Sequence, residues 1–203
     1  MEILQKTCYT GVQMTLHNIS EEHAMDYTEE KLRRVNTVKG VIVDVETDMI
    51  RLQNGAITLR EVVRHPGGVS IVALDDDGCI SLVRQYRYPF REHLWELPAG
   101  KLEPGEEPLP AAMRELSEET GLEAERWTEL GMLYATPGYC TEKLYLFLAE
   151  GLRQGQAHPD PNEFLDVDRV PLDEVLARID RGEIRDAKTV VGALRADRRR
   201  RGI

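Results

Sequence analysis

The sequence predicts an α/β chain, an α+β sandwich preceded by a small antiparallel β-sheet, and three observations carry that expectation. β-rich runs, "GVIVDVETDMIRL" and "AITLREVVR", flank Asn54-Gly55, a dipeptide that favours a type I′ hairpin turn. "LPAAMRELSEETGL" then switches to helical spacing. After it the chain returns to strand-like runs, "WTELGMLYAT" and "KLYLFLAEGL", before closing on helical segments.

Taken in order, residues 1–24 show no clean period and form an extension of unknown structure, although "NISEEHAMDYTEEKLRRVN" has the polar start of a helix at Ser20. Residues 25–64 make the N-terminal β-sheet subdomain, and the boundary falls near Arg64, before the punctuation His65-Pro66-Gly67-Gly68. The main domain, 65–203, opens with "VSIVAL", the turn "DDDG" and "CISLVRQYRY", which together suit a second hairpin. Pro108 and Pro110 are tolerable only in the first turn of a helix and Gly121 suits its C-terminal cap, so that helix runs from about 109 to 120. Residues 151–163, rich in Pro, Gly and acids, are expected as a loop. A helix capped by Asp173 and ended by Gly182 follows, and "DAKTVVGALRADRRRR" closes the chain as a helix. There is no internal repeat and no low-complexity tract.

Composition narrows the function classes. With 203 residues, 41% hydrophobic and 31% charged, the chain has the balance of a soluble globular protein. No run approaches the ~18 to 20 apolar residues that span a bilayer, and "MEILQKTCYTGVQ" lacks the charged-then-apolar order of a signal peptide, so a cytoplasmic location without membrane contact is the expectation. Cys8, Cys79 and Cys140 are widely spaced and form no C-x-x-C pair, which points to neither a disulfide framework nor a zinc cluster. A formal charge of −10 disfavours nucleic acid as a partner. An anionic small molecule then needs local arginines or bound metal. The basic "RADRRRR" reads as the charged end of a terminal helix.

The informative stretch is "RELSEETGL". On a helix Glu115, Glu118 and Glu119 share one side, because positions three or four apart are neighbours. Like charges so placed repel by a few tenths of a kcal/mol per pair. Full solvation relieves this, as on any acidic helix face; so does a hard divalent ion such as Mg²⁺, which takes oxygen ligands. The text upstream decides between them: Gly100, Glu106, Arg114, Glu115, Leu116, Glu118, Glu119, Gly121 and Leu122 fit G-x5-E-x7-R-E-U-x-E-E-x-G-U, with U a bulky aliphatic, at every fixed position. A chance match is on the order of one in a billion per starting point.

That pattern is the Nudix box, and from about Val69 to Leu194 the chain resembles the Nudix hydrolases. The resemblance implies the Nudix fold, a mixed β-sheet between helices, and metal-assisted hydrolysis of a nucleoside diphosphate linked to another group. It also implies Glu115 and Glu119 as direct Mg²⁺ ligands, with Mn²⁺ as a substitute, Glu118 close by and the Ala99 carbonyl completing part of the shell. The residues have physical reasons of their own. Gly100 and Gly105 permit tight turns and close backbone approach, Arg114 can anchor neighbouring carboxylates with Glu106 as its partner, and Gly121 ends the helix. Leu116, Leu122, Ala112 and Met113 read as core contacts.

Within the family, three features resemble the ADP-ribose pyrophosphatase branch: Pro137 sixteen residues after Gly121 in "YATPGYCTE", the pair of stretches "REVVRHPGGVSIVAL" and "RQYRYPFREHLWELPAG", and the β-rich segment before His65. In that branch the N-terminal sheet is exchanged across a homodimer, so dimerisation is implied. By position Arg60 and Arg87 match arginines that contact the nucleotide or its phosphates, Glu142 an acid facing the terminal ribose or the metal water, and Glu96 a supporting residue by the box. Where the branch carries a catalytic loop glutamate this chain has "DPNEFLD": Glu163 is the best match and Asp160 the alternative, since Pro161 stands where a glutamate is expected. The aromatic that stacks adenine is replaced by Val41, leaving Tyr27 as another candidate.

The activity so implied is Mg²⁺-dependent hydrolysis of ADP-ribose to AMP and ribose 5-phosphate, with Glu163, Glu118 and Arg114 as catalytic residues. GDP-mannose, ADP-glucose and dinucleoside polyphosphates are alternative substrates of the same chemistry. A non-catalytic nucleotide-sugar sensor is the alternative of another class, disfavoured by an intact box and no added DNA-binding domain.

Overall fold

The structure, a computed structural model, describes residues 26–158 and 164–203. The helix start at Ser20, Asp160 and Glu163 lie outside the described residues.

An accessory three-stranded antiparallel sheet comes first, β1 (Glu30–Lys39), β2 (Asp44–Arg51) and β3 (Ile57–Arg64), in the order β1-β2-β3. Residues 30–39 are thus a strand rather than the continuation of a helix. Pairing along β2 organises its charges: Arg34 bonds Asp48 and pairs with Glu46 (2.6 Å), Lys31 pairs with Asp48 (2.7 Å) and Arg64 with Glu46 (2.6 Å). Opposite signs facing each other across strands favour the sheet by a few tenths of a kcal/mol each. The Asn54-Gly55 turn differs from the expected type I′. Only Gly55 has positive φ (82°), its N–H donates to Leu52 O at 2.9 Å, and Asn54 Oδ1 accepts from Ala56 N at 3.0 Å. Five residues, 52–56, therefore connect the strands, because Asn54 uses its side chain to close the turn in place of a left-handed backbone.

The main domain holds two sheets. One has the order β7-β4-β9-β8, from β4 (Gly68–Ala73), β7 (Ala99–Lys101), β8 (Leu122–Tyr134) and β9 (Lys143–Gln154). The other has the order β10-β5-β6, from β5 (Cys79–Arg87), β6 (Glu92–Glu96) and β10 (Leu165–Pro171). The expected second hairpin is only a corner: β4 and β5 meet at the single bridge Leu74–Ile80 and diverge into different sheets. β4 lies parallel to β9 and every residue in it is buried, the continuous apolar pattern of a strand covered on both faces.

Helix α1 (Pro108–Thr120) covers one face and Gly121 ends it with φ 71°. Ala111, Ala112 and Leu116 pack on Val69, Ile71, Ala73, Phe147 and Ala149. Met113 is exposed, not a core residue, because it sits on the face of α1 turned from that cluster. On the opposite face Val72 and Leu148 join Ile80, Leu82 and Leu97 with residues of α2 (Leu172–Asp180) and α3 (Ala187–Arg200). The main sheet accordingly lies between helices. Asp173 is in the first turn of α2 rather than its cap, which is Pro171, and it pairs with Arg200 at 2.5 Å. β9 continues to Gln154 through part of the expected loop. No helix among the described residues is long and apolar enough to cross a membrane.

Gly192 sets how closely α3 approaches. A Cβ there would lie 2.6 Å from Leu97 Cδ1 and 3.2 Å from Val72 Cγ2, both in the buried core. Gly192→Val should therefore destabilise the protein by about 2 kcal/mol or more, the cost of overpacking, in urea denaturation. An unchanged midpoint would contradict this packing.

Candidate active site

The site is built where β7 passes α1. Because 112, 115, 116 and 119 share the inner face of the helix, Glu115 and Glu119 are carried inward with the core residues and are only 8% and 2% exposed. The Ala99 N–H donates to Glu119 Oε2 at 3.1 Å. At Gly100 a Cβ would stand 1.9–2.2 Å from the Glu115 carboxyl atoms, a distance no real side chain tolerates. Glycine at 100 is therefore a requirement of the carboxylate's position, not of a turn.

Arg114 is the counter-charge. Its Nε and Nη2 donate to the two oxygens of Glu106 at 3.0 and 2.9 Å, and Nη1 donates to Glu115 Oε1 at 2.8 Å and Glu118 Oε2 at 3.0 Å. Nη2 also reaches the Lys101 carbonyl at 3.3 Å. Bonding to Glu106 first, then to Glu115 and Glu118, raises the guanidinium pKa beyond its ordinary value, and Arg114 in turn holds Glu106 below the usual carboxylate range. The turn at Gly105 (φ 80°) brings Glu106 back over the helix, and Glu106 Oε2 accepts from Glu103 N at 2.9 Å. One cation thus serves three carboxylates.

A second network lies beside the first. Glu96 is fully buried and takes Arg87 in a bidentate pair, Nε to Oε1 at 2.6 Å and Nη2 to Oε2 at 2.7 Å. Lys188, on α3, bonds the same Oε2 and reaches Asp186 Oδ1 at 2.9 Å. Asp186 caps α3 by accepting from Thr189 N (3.0 Å) and Thr189 Oγ1 (2.6 Å), and Thr189 Oγ1 accepts from Leu97 N at 2.8 Å. Burial pushes Glu96 up, but Arg87 and Lys188 outweigh it and the carboxyl titrates below its usual range. Sequence reasoning missed Lys188, Thr189 and Asp186 as site neighbours. The capping pattern Asp-x-x-Thr was legible in "DAKT", but nothing in it points to residues some ninety positions earlier.

The remaining expected residues have partners of their own. Arg60 sits on β3 of the accessory sheet and is held by Glu29 at 2.5 and 3.0 Å. Glu142 lies 3.5 Å from His65 Nδ1 at the end of the loop carrying Pro137. That loop docks on β3, with Val63 N donating to Tyr139 O at 2.7 Å and Thr141 N to Val63 O at 3.0 Å. Tyr27 and Val41 are exposed. His158 N donates to Glu118 O at 3.0 Å, beside the C-terminal turn of α1.

The donor set suits a hard divalent cation: buried carboxylates and a backbone cradle kept open by the missing side chain of Gly100. Among the described residues no three acidic, histidine or cysteine groups converge as a finished cage; Arg114 supplies the positive charge between Glu115 and Glu118.

Fold and site together define an α/β sandwich that gathers buried helix carboxylates at the edge of its main sheet. Residues 64–190 match the model of the NUDIX domain, and the chain belongs to the Nudix family. It is 39% identical over 163 residues to an ADP-ribose pyrophosphatase of Bacillus subtilis (strain 168), spanning 79% of this chain and 88% of the relative. A methanol dehydrogenase activator of Bacillus methanolicus is 39% identical over 81% of this chain and 90% of its own. An ADP-ribose pyrophosphatase of Mycobacterium tuberculosis (strain ATCC 25618 / H37Rv) is 42% identical over 76% of each chain. The crystal structure of an ADP compounds hydrolase superposes with a TM-score of 0.78 at 23% identity, covering 88% of this chain and 98% of that one; it shares the fold.

Two outcomes check this geometry. Gly100→Ala should lose most of any rise in melting temperature that a divalent cation gives the parent protein, since the new methyl group evicts the Glu115 carboxylate; full retention of that rise would contradict the cradle. Glu96 has its folded pKa below the unfolded one, so its contribution to stability is present above the ordinary glutamate value and is lost as pH falls through the folded value. Urea denaturation between neutral pH and pH ~3 should show a shallower acid loss for Glu96→Gln than for the parent, and parallel curves would contradict the pairing.

Proposed function

We propose that the protein is a Mg²⁺-dependent pyrophosphatase that hydrolyses ADP-ribose to AMP and ribose 5-phosphate. The observation that carries the chemistry is the pair of buried carboxylates, Glu115 and Glu119, set against the backbone of Ala99 and Gly100. The substrate rests on the relatives named ADP-ribose pyrophosphatase, aligned over three quarters or more of both chains.

Glu115, Glu119 and the Ala99 carbonyl would hold the metal, with Mn²⁺ as a substitute. Bound there, a divalent ion would neutralise diphosphate oxygens and lower the pKa of a water. Arg114 orients Glu115 through an ion pair, and it holds Glu118 near the same face. Arg87 offers planar donors to the diphosphate. Glu163, with Asp160 as alternative, takes the proton of the attacking water. The water oxygen bonds to one phosphorus, the bridging P–O bond breaks, and the leaving phosphate carries the bridging oxygen. Glu142 and Arg60 contact the substrate farther out.

In this reading residues 65–203 form the catalytic domain, and the sheet within 25–64 pairs with its copy in a homodimer in the cytoplasm. The exposed apolar residues Val35, Val38, Ile57 and Leu59 on that sheet support such a partner surface.

A phosphatase-coupled assay over ADP-ribose, ADP-glucose, GDP-mannose and a dinucleoside polyphosphate should give the highest kcat/KM with ADP-ribose. A much higher value for another compound would reassign the substrate. Glu119→Gln should fold as the parent does and lose about a hundredfold or more in kcat, a loss typical of damage at a metal centre. Turnover like the parent's in that variant would remove the metal assignment.

A further inference from the structure

Glu96 is over-supplied with positive partners. The bidentate pair with Arg87 already engages both of its oxygens, yet Lys188 is brought from α3 to share Oε2. Lys188 is itself nearly buried, with 11% of its side chain exposed. Burying an ammonium group costs several kcal/mol before its partners offset the loss, and α3 is already fastened to this segment by Thr189 and Leu97. The lysine is therefore more than a fastening.

Charges alternate along one chain of contacts, Asp186, Lys188, Glu96, Arg87, running from the cap of α3 to the part-exposed guanidinium of Arg87. At its end Arg87 uses Nε and Nη2 on Glu96, while Nη1 has no hydrogen-bond partner among the described residues and the side chain is 38% exposed. Glu96 stands three residues before Ala99, whose N–H donates to the Glu119 carboxylate at 3.1 Å. The free edge of a planar donor, fixed from behind on the segment that leads into the box, suits a phosphate oxygen.

We propose that Lys188 is a positioning residue: braced on α3, it fixes Glu96, and through Glu96 it aims the free edge of Arg87 at the diphosphate. This rests on the reading that the site binds a nucleoside diphosphate. Methionine at 188 keeps the volume and removes the brace. The loss then falls on substrate binding rather than on chemistry at the carboxylate helix.

The test uses ADP as a probe, bound in calorimetry with Mg²⁺ present, alongside steady-state hydrolysis of ADP-ribose. Lys188→Met should weaken ADP binding and raise KM by roughly tenfold, within the range seen for contacting residues of one ion-pair network, with kcat within about threefold of the parent. Lys188→Arg should restore both to within about twofold, a rescue that a loss of packing would not show. In an Arg87→Met background the Lys188→Met change should have no further effect on ADP affinity. Unchanged ADP affinity in Lys188→Met, a loss confined to kcat, or additive losses in the double variant would each overturn the assignment. Lys188→Gln replaces methionine in the same comparisons where the methionine variant melts below the assay temperature. A parent protein that binds ADP but hydrolyses none of the nucleotide sugars overturns the proposed function and leaves the brace to be judged on ADP binding alone.

Discussion

The close approach of the Gly100 backbone to the Glu115 carboxylate is the constraint on which the site depends. Carboxylates on one turn of a helix repel and would ordinarily turn outward to water. Here the inner face of α1 carries Glu115 and Glu119 inward with Leu116, and the main-chain N–H of Ala99 together with the missing Cβ at 100 gives them a place to sit. Any side chain at 100 would occupy the carboxylate's own volume. The helix, the short strand β7 and the turn at Gly105 are thus one device, and Arg114 closes it by linking Glu106, Glu115 and Glu118.

The other side of the site is fixed from α3. Thr189 and the cap residue Asp186 tie the helix to Leu97, and Lys188 and Arg87 meet on Glu96 one residue earlier. Residues 96–99 therefore receive structure from both faces of the main sheet, the α1 carboxylates from one and the α3 cap from the other. Gly192 lets α3 lie close enough on Leu97 and Val72 for this to happen. The arrangement explains how a chain with a formal charge of −10 can still offer cations to an anion: they are few, local and held in pairs with carboxylates.

How much of this was legible in the sequence depended on the range of the interaction. Helix α1 and its cap were read to within a residue, because Pro108, Gly121 and the spacing of the glutamates are local signals. The spacing from Gly100 to Glu119 marked the carboxylates as a site, and the bonds of Arg114 to Glu106 follow the expected pairing. Where the structure differs, tertiary context won. Residues 30–39 are polar and were open to a helical reading, but pairing with β2 makes them a strand. The β4–β5 turn looked like a hairpin, yet the two strands part into separate sheets. Asn54-Gly55 turned the chain by side-chain bonding rather than by the expected backbone form. Lys188 was invisible because its partner lies ninety-two positions away.

The central claim, that the carboxylates of α1 and the backbone of β7 form a divalent-ion centre, is tested most directly by anomalous diffraction from crystals soaked with Mn²⁺. The account predicts a Mn²⁺ peak coordinated by Glu115 and Glu119, with the Ala99 carbonyl in its shell. A peak placed elsewhere, or none at saturating Mn²⁺, would contradict it.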